Sequence, residues 1–336
     1  MHRHGQLFDA VVAVETLREA FLRAARGKRC RSCVRMFEAD LDTHLASMSA
    51  SAADATFPHG RFRQFVIHDP KRRVITAPCF EERVLHHAIV AVCEPVFERW
   101  LIADTYACRP GRGREAAVIR AAGFSRRFPW CVHLDVRSCF DSIPHERLTG
   151  RLACRFKDPR LLLLFTNIIQ AFRRGIGRGL PIGSLCSQHF ANFYLGWLDR
   201  HIKETLRVRG YVRYMDDLVI WGADHDSVAG VAVMATEWSR HNLGLELKPA
   251  PMKRTADGFD FLGCRVYSSH IGLSRRSRVR WQRRVRWLMR LHRLCEIGQR
   301  DLQSRLEAAT AFTFAADART WRFRQSVLDT LPVGDP

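Results

Sequence analysis

Two carboxylates stand side by side in "RYMDDLVIW", Arg213 to Trp221, where the flanking residues read as apolar strand. A third, Asp135, lies in the run "WCVHLD", another short strand. Carboxylates isolated on strands are costly unless they are solvated, paired with cations or bound to metal. Hard oxygen donors in such a set suit Mg²⁺, which keeps waters and takes its remaining ligands from substrate phosphates. Two such ions about 3.5–4 Å apart can activate an attacking hydroxyl and stabilise a leaving pyrophosphate. An Asp-Asp pair by itself is ordinary turn chemistry, because Asp tolerates tight backbone conformations. Here it shares the chain with a strand-borne Asp, a Gly-rich loop before a helix and a basic hairpin, and that combination points to phosphoryl transfer on a nucleic acid.

Composition agrees. The 336 residues carry 54 Lys and Arg against 34 Asp and Glu, a formal net charge of +20. Such a balance favours a polyanion, since basic side chains displace condensed counterions from phosphate backbones. No run of about 18 apolar residues could span a bilayer. The start "MHRHGQLFDAVVAVE" lacks a signal-peptide pattern. The expectation is a soluble, cytoplasmic protein with no membrane partner. Eleven cysteines lie mostly in apolar segments and read as reduced, buried thiols. "CRSC" at Cys30 and Cys33 has zinc-knuckle spacing but lacks a second ligand pair, so no zinc site is read.

The elements that must position the carboxylates follow from periodicity. "LFDAVVAVETLREAFLRAARGKR" and "MFEADLDTHLASM" are helical, and "SMSASAADA" reads as a surface linker. "RQFVIHDPKRRVITAP" predicts a hairpin displaying Lys71, Arg72 and Arg73. Helix returns in "EERVLHHAIVAVCEPVFERWL", followed by the loop "DTYACRPGRGREAA" and a further helix. In "WCVHLD", Val132 and Leu134 share one strand face, which puts His133 and Asp135 on the other. Helix is expected from there to about residue 175, then a Gly-rich loop feeding a long helix, then the strand, turn and strand of "RYMDDLVIW". A basic helical tail follows "FDFLGCRVY".

These motifs, "DPKRRVITAPCFEERVLHHAIV", "YACRPGRG", "LDVRSCFDSIPH", "GLPIGSLCSQ", "YMDD" and "FDFLG", resemble in order those of reverse transcriptases. The resemblance runs from about residue 7 to about 270. It implies an α+β right-hand polymerase: a helical extension (1–55), fingers (56–125), palm (126–145 and 179–267) around fingers/palm helices (146–178), and a short basic thumb (268–336). It implies that Asp135, Asp216 and Asp217, with the Val136 carbonyl, hold two Mg²⁺ ions, with Mn²⁺ as a substitute. Phe140 falls at the steric gate that excludes a ribose 2′-hydroxyl and so selects dNTPs. Lys71 and Arg73 would grip the triphosphate, with Arg72 facing away. Gln188, Ile182 and Gly183 would line the nucleotide pocket, the bare Gly183 admitting template or nucleotide. Phe261, Leu262 and Gly263 match the primer-supporting turn. Lys248 and Lys253 are both candidates for the general acid toward pyrophosphate. The implied partners are template RNA, its RNA/DNA hybrid and a nucleic-acid primer.

Many relatives carry "QGxxxSP" where this chain has "IGSLCSQ", Ile182 to Gln188. That variant resembles the reverse transcriptases of diversity-generating retroelements, bacterial, archaeal or phage-encoded, which misincorporate opposite template adenines with a basic accessory variability protein. Ile182 and Arg73 match positions that influence fidelity there. Physically, Ile in place of Gln removes a hydrogen-bonding group beside the templating pair. Retron and defence-associated reverse transcriptases share the palm and are the alternative. A non-catalytic RNA-binding scaffold is a further one, against which the three aspartates and Phe140 argue.

In the tail, nine arginines lie between Arg275 and Arg293. Trp281, Val285, Leu288, His292 and Cys295 recur at helical spacing. One face would pack a thumb while Arg275, Arg276, Arg283 and Arg286 track a duplex backbone. The expectation is a polymerase without a separate nuclease domain or a maturase-sized extension.

Overall fold

The computed structural model describes residues 3–68, 72–311, 313 and 322–326. In chain order, it opens with α1 (Phe8–Val12), α2 (Val14–Ala25), α3 (Ser32–Ala39) and α4 (Leu41–Ala53). Ala13, at φ −57° and ψ 135°, splits the expected first helix in two. Both pieces still turn apolar residues inward, Phe8 and Val11 from one, Leu17 and Phe21 from the other. "SMSASAADA" is largely the end of α4 rather than a linker, because Leu45, Met48 and Ala52 recur at helical spacing and are buried.

The predicted hairpin forms as β1 (Phe62–Ile67) and β2 (Arg73–Pro78), with Phe65 opposite Ile75. Then come α5 (Phe80–Trp100), α6 (Arg114–Arg127) and β3 (Trp130–Asp135). The helix expected to about residue 175 is three pieces: α7 (Cys139–Ser142), α8 (His145–Ala153) and α9 (Pro159–Gln170). Asp158 and Pro159 make the last break. The Asp158 carboxylate accepts from the backbone N–H groups of Arg160 and Leu161, and Pro fits a first helical turn, where no N–H is needed. Ser184 caps α10 (Leu185–Arg200). There follow β4 (Gly210–Tyr214), β5 (Asp217–Gly222), α11 (His225–Trp238), β6 (Lys253–Arg254), β7 (Phe259–Phe261), β8 (Cys264–Val266), β9 (Ile271–Leu273), α12 (Arg275–Arg293) and α13 (Gln299–Ala311).

The chain forms two compact units from interleaved stretches. The first comprises Met1–Ala103, Val136–His201 and Ala235–Lys248. Within it, α5 is the central helix, with α2 and α10 against it. Phe97 of α5 meets Phe193 of α10 at a ring-centroid distance of 5.6 Å. The second comprises Asp104–Asp135, Ile202–Met234 and Pro249–Pro336. Its main sheet has the strand order β4-β5-β3-β6, and β7-β8-β9 form a smaller one, all paired antiparallel. α6 and the β7–β8 hairpin cover one face of the main sheet through Val118, Phe124, Phe259 and Phe261 against Cys131, Val219 and Trp221.

In α12, Trp281, Val285 and Leu288 are buried as expected, and Arg275, Arg276, Arg283 and Arg286 are exposed. His292 and Cys295 depart from that face. The helix ends at Arg293, His292 is half-buried with Nδ1 3.0 Å from the Ile297 carbonyl, and Cys295 is exposed in a left-handed conformation. Among the described residues no helix is long and apolar enough to cross a membrane.

Asp158 also accepts the Phe8 backbone N–H at 3.2 Å, tying α1 to the start of α9. Asp158→Ala is therefore expected to lower the free energy of unfolding by about 1–2 kcal/mol, read from urea melts. A loss within error of zero would mean that none of the three bonds to the Asp158 carboxylate contributes.

Candidate active site

The second unit builds the carboxylate site. β3 and β5 pair antiparallel with Asp135 directly opposite Asp217, and β4 and β5 pair with Tyr214 opposite Asp217. This leaves Met215 and Asp216 as a two-residue turn. Because cross-strand partners share a face, Asp135, His133, Asp217 and Tyr214 project together, while Val132, Leu134, Arg213 and Leu218 take the buried opposite face. All three aspartates are half-buried.

Two carboxylates directly opposite each other repel. His133 contacts one of them: its Nε2–H donates to Asp217 Oδ1 at 3.1 Å. Its ring stands edge-on to Phe261, centroids 5.8 Å apart at 90°. Sequence alternation places His133 beside Asp135 but gives no hint of its partner two strand positions along.

Arg213 was also not singled out. It is fully buried, and its Nη1 donates to the Met215 carbonyl at 3.0 Å. Its backbone N–H donates to the Asp104 carbonyl at 2.9 Å and its carbonyl accepts from Tyr106 N–H at 3.0 Å. Met215 has φ 52°, a left-handed conformation that costs a β-carbon residue about 1–2 kcal/mol, and the Arg213 fork holds the turn in it. The available signal was a cation at an interior-facing position of an otherwise apolar strand.

The turn between β7 and β8 is Leu262–Gly263, both at positive φ (49° and 80°), the conformation of a type I′ hairpin turn. Arg114 at the start of α6 donates from Nε to the Leu262 carbonyl at 2.7 Å. A β-carbon on Gly263 would lie 2.9 Å from Ser277 Oγ, so glycine is needed for α12 to approach. Phe261, Leu262 and Gly263 thus form one braced turn whose Phe261 contacts His133.

The first unit carries the residues expected on the nucleotide side. Val136 is buried and bridges Leu247. Phe140 is half-buried on α7, and its carbonyl accepts Leu180 N–H at 2.7 Å. His145 Nε2 donates to the Gly179 carbonyl at 2.7 Å, and burial pushes its pKa down despite that bond, so it stays neutral. The Ile182 carbonyl accepts Thr76 N–H at 2.7 Å. A β-carbon on Gly183 would meet Ile75 Cγ2 at 2.7 Å. The direction a β-carbon would take at Gly183 is therefore filled by β2, while the residue itself is exposed. Gln188 is exposed on α10, and Arg73 is exposed at the start of β2; Lys71 lies outside the described residues. Of the two candidate acids, Lys248 is exposed in the first unit. Lys253 sits on β6 opposite Cys131, whose thiol burial pushes up to about 12 against the pull of that lysine. Cys131 and Asp135 lie on one face four residues apart, roughly 13 Å along the strand.

Among the described residues no group of three His, Cys, Asp or Glu side chains is close enough to enclose a metal ion. A dedicated cage is not what Mg²⁺ needs, since one or two carboxylates plus waters and substrate phosphates satisfy it. The facing Asp135 and Asp217 fit that donor set.

The fold is that of right-hand polymerases. A solved structure of apo telomerase from Candida tropicalis superposes with a TM-score of 0.50 at 11% identity, covering 81% of this chain and 62% of that one. The sequence profile described as "Reverse transcriptase (RNA-dependent DNA polymerase)" matches residues 68–266, and the chain belongs to that family. It is 26% identical over 165 residues to the group II intron-encoded protein LtrA of Lactococcus lactis subsp. cremoris, 45% of this chain and 27% of that protein. It is 29% identical over 150 residues to an uncharacterized 91 kDa protein in a cob intron of Schizosaccharomyces pombe, 43% of this chain and 17% of that protein. The matches thus span about a quarter or less of these curated relatives.

His133→Phe keeps a ring against Phe261 and removes the hydrogen bond to Asp217. On the polymerase reading proposed below, single-nucleotide primer extension should slow about 10- to 100-fold, the usual effect of removing a group that orients a metal-binding carboxylate. KM for the dNTP should stay within about two-fold, because no triphosphate contact is lost. An unchanged rate would mean the bond does not orient Asp217.

Proposed function

We propose that the chain is an RNA-directed DNA polymerase that copies a template RNA into cDNA by two-metal phosphoryl transfer. The observation that carries this reading is the register that sets Asp135 against Asp217 with Asp216 in the adjoining turn, in a chain of the reverse transcriptase family. Two facing carboxylates destabilise a sheet on their own, and a divalent cation converts that repulsion into binding. Asp135, Asp216, Asp217 and the Val136 carbonyl would hold Mg²⁺, or Mn²⁺ in its place. Once bound, such ions supply Lewis acidity toward the primer 3′-hydroxyl and toward the charge on departing pyrophosphate.

The other residues bind, orient and exclude. Lys71 and Arg73 hold the triphosphate of the incoming dNTP, with Arg73 suited to a bidentate contact. Phe140 bars a 2′-hydroxyl, and Gln188 and Ile182 border the base pair. The Phe261–Gly263 turn supports the primer end. Lys248 or Lys253 delivers a proton to pyrophosphate. Arg275, Arg276, Arg283 and Arg286 follow the backbone of the RNA/DNA hybrid. In this reading 56–125 are fingers, 126–145 and 179–267 palm, with 146–178 helices between them, 1–55 a helical extension and 268–336 thumb.

The finer reading is mutagenic copying in a diversity-generating retroelement, error-prone at template adenines and aided by a basic accessory variability protein. It is supported by Ile182 and by its setting: the Ile182 carbonyl is bonded to Thr76 of the strand that begins at Arg73, so the loop and that strand are one packed piece.

Asp216→Ala and Asp217→Asn should each reduce primer extension at least about 10³-fold, the loss of several kcal/mol of charge stabilisation. Wild-type activity surviving in both would sink the polymerase reading. Sequencing of cDNA made with and without the accessory protein should show substitutions concentrated at template adenines and reduced in Ile182→Gln. Equal error at all four bases would remove the retroelement reading and favour a retron or defence-associated enzyme.

A further inference from the structure

Glu82 and His86 stand four residues apart on α5, so their side chains share a face of the helix. That face is sealed, and both side chains are 1% exposed. A buried carboxylate needs partners. Glu82 Oε2 accepts the Gly60 backbone N–H at 3.1 Å, while Oε1 faces two imidazoles, His59 Nδ1 at 3.8 Å and His86 Nε2 at 3.7 Å. Among the described residues neither of these ring nitrogens has a closer hydrogen-bond partner. The other nitrogen of His86, Nδ1, lies 3.2 Å from Ser184 Oγ at the start of α10.

Burial, and then the nearby His59, His87 and Arg83, push the His86 pKa down to about 3, so the ring is neutral at pH 7 and carries one N–H. Glu82 decides where that proton sits. A carboxylate beside Nε2 favours the Nε2–H tautomer, which leaves Nδ1 as the acceptor of the Ser184 O–H. The Ser184 oxygen in turn accepts the Ser187 N–H at 3.4 Å and caps α10. Carboxylate, imidazole and hydroxyl follow one another as in a hydrolytic triad, but Ser184 is 1% exposed and its hydroxyl is spent inside the protein. The relay therefore holds backbone in place. Two further bonds act on the same stretch: Cys186 Sγ donates to the His86 carbonyl at 3.9 Å, and the Ile182 carbonyl accepts Thr76 N–H at 2.7 Å. Ile182 is half-buried and Gly183 exposed, so bonds from α5 and β2 set where this piece of surface stands.

We propose that His86, oriented by Glu82, is a positioning residue for the incoming nucleotide: through Ser184 it fixes the loop 182–184 and so the contact that Ile182 and Gly183 make with a dNTP. The choice of a dNTP rests on the polymerase reading above; the relay from Glu82 to Ser184 does not.

The test uses the full chain with an RNA template and a DNA primer. Ser184→Ala and His86→Leu should each raise KM for the dNTP about 5- to 10-fold, the factor that one buried hydrogen bond carries, with kcat within about two-fold. The double variant should be no worse than either single one, because both remove the same bond. His86→Asn keeps an acceptor close to the place of Nδ1 and should bring KM back to within about two-fold of wild type. Kd for methylanthraniloyl-labelled dATP on the primed template, read by fluorescence in Ca²⁺ so that no bond is made, should follow the same pattern. Thermal melts identify any variant that fails to fold, and Ser184→Ala, which removes a single oxygen, keeps the test decisive if His86→Leu does.

A relay that only stabilises the fold would lower the melting temperature of folded variants and leave KM and Kd unchanged, which overturns the proposal. Additive losses in the double variant, or no recovery in His86→Asn, overturn it as well. If wild type binds labelled dATP with this dependence on His86 but extends no primer, the polymerase reading fails and the positioning role stands. If wild type extends primer and the folded variants keep its KM and Kd, the positioning role fails alone. If wild type neither binds nor extends, both fail.

Discussion

Everything in the second unit depends on the antiparallel register of β3 against β5. A slip of one residue would turn Asp135 or Asp217 to the opposite face and bury it among Val132, Leu134 and Leu218. The register resists that slip because both faces are buried with different chemistry. Cys131, Val219 and Trp221 pack under α6 and the β7–β8 hairpin, and Leu134, Leu218 and Ile220 pack on the other side. Apolar burial therefore enforces a juxtaposition that electrostatics alone would oppose.

Smaller devices trim that geometry. Arg213 holds a strained Met215 so that the turn stays two residues long. His133 joins Asp217 on one side and Phe261 on the other, linking the carboxylates to the braced Leu262–Gly263 turn. Strain at Met215 and Leu262 persists because the surrounding bonds, including Arg114 to Leu262, over-determine it. In the first unit the same economy appears at Gly183, whose bare α-carbon lets the Ile182 loop lie against Ile75 and Thr76.

Much of this was legible in the chain. Alternation in "WCVHLD" put His133 and Asp135 on one face, and the two β-rich runs around "HDPKRR" announced the hairpin. Short-range signals were misread where two rules competed. "SMSASAADA" has linker composition, yet Leu45, Met48 and Ala52 give it a buried helical face. The helix toward residue 175 carries a break written as Asp158–Pro159, a start signal hidden in a continuous apolar pattern. His292 and Cys295 keep the period of α12, but the helix ends before the period does.

The sequence by itself determined the local elements, the excess of positive charge and the family, because propensity, periodicity and motif order act over a few residues at a time. It could name Asp135, Asp216 and Asp217 without stating which two face each other. Only the tertiary structure decided that Asp135 opposes Asp217, that His133 holds the latter, and that Arg213 supports the turn. Each joins residues distant in sequence or set by strand register, and such pairings follow from how whole elements bury their apolar faces.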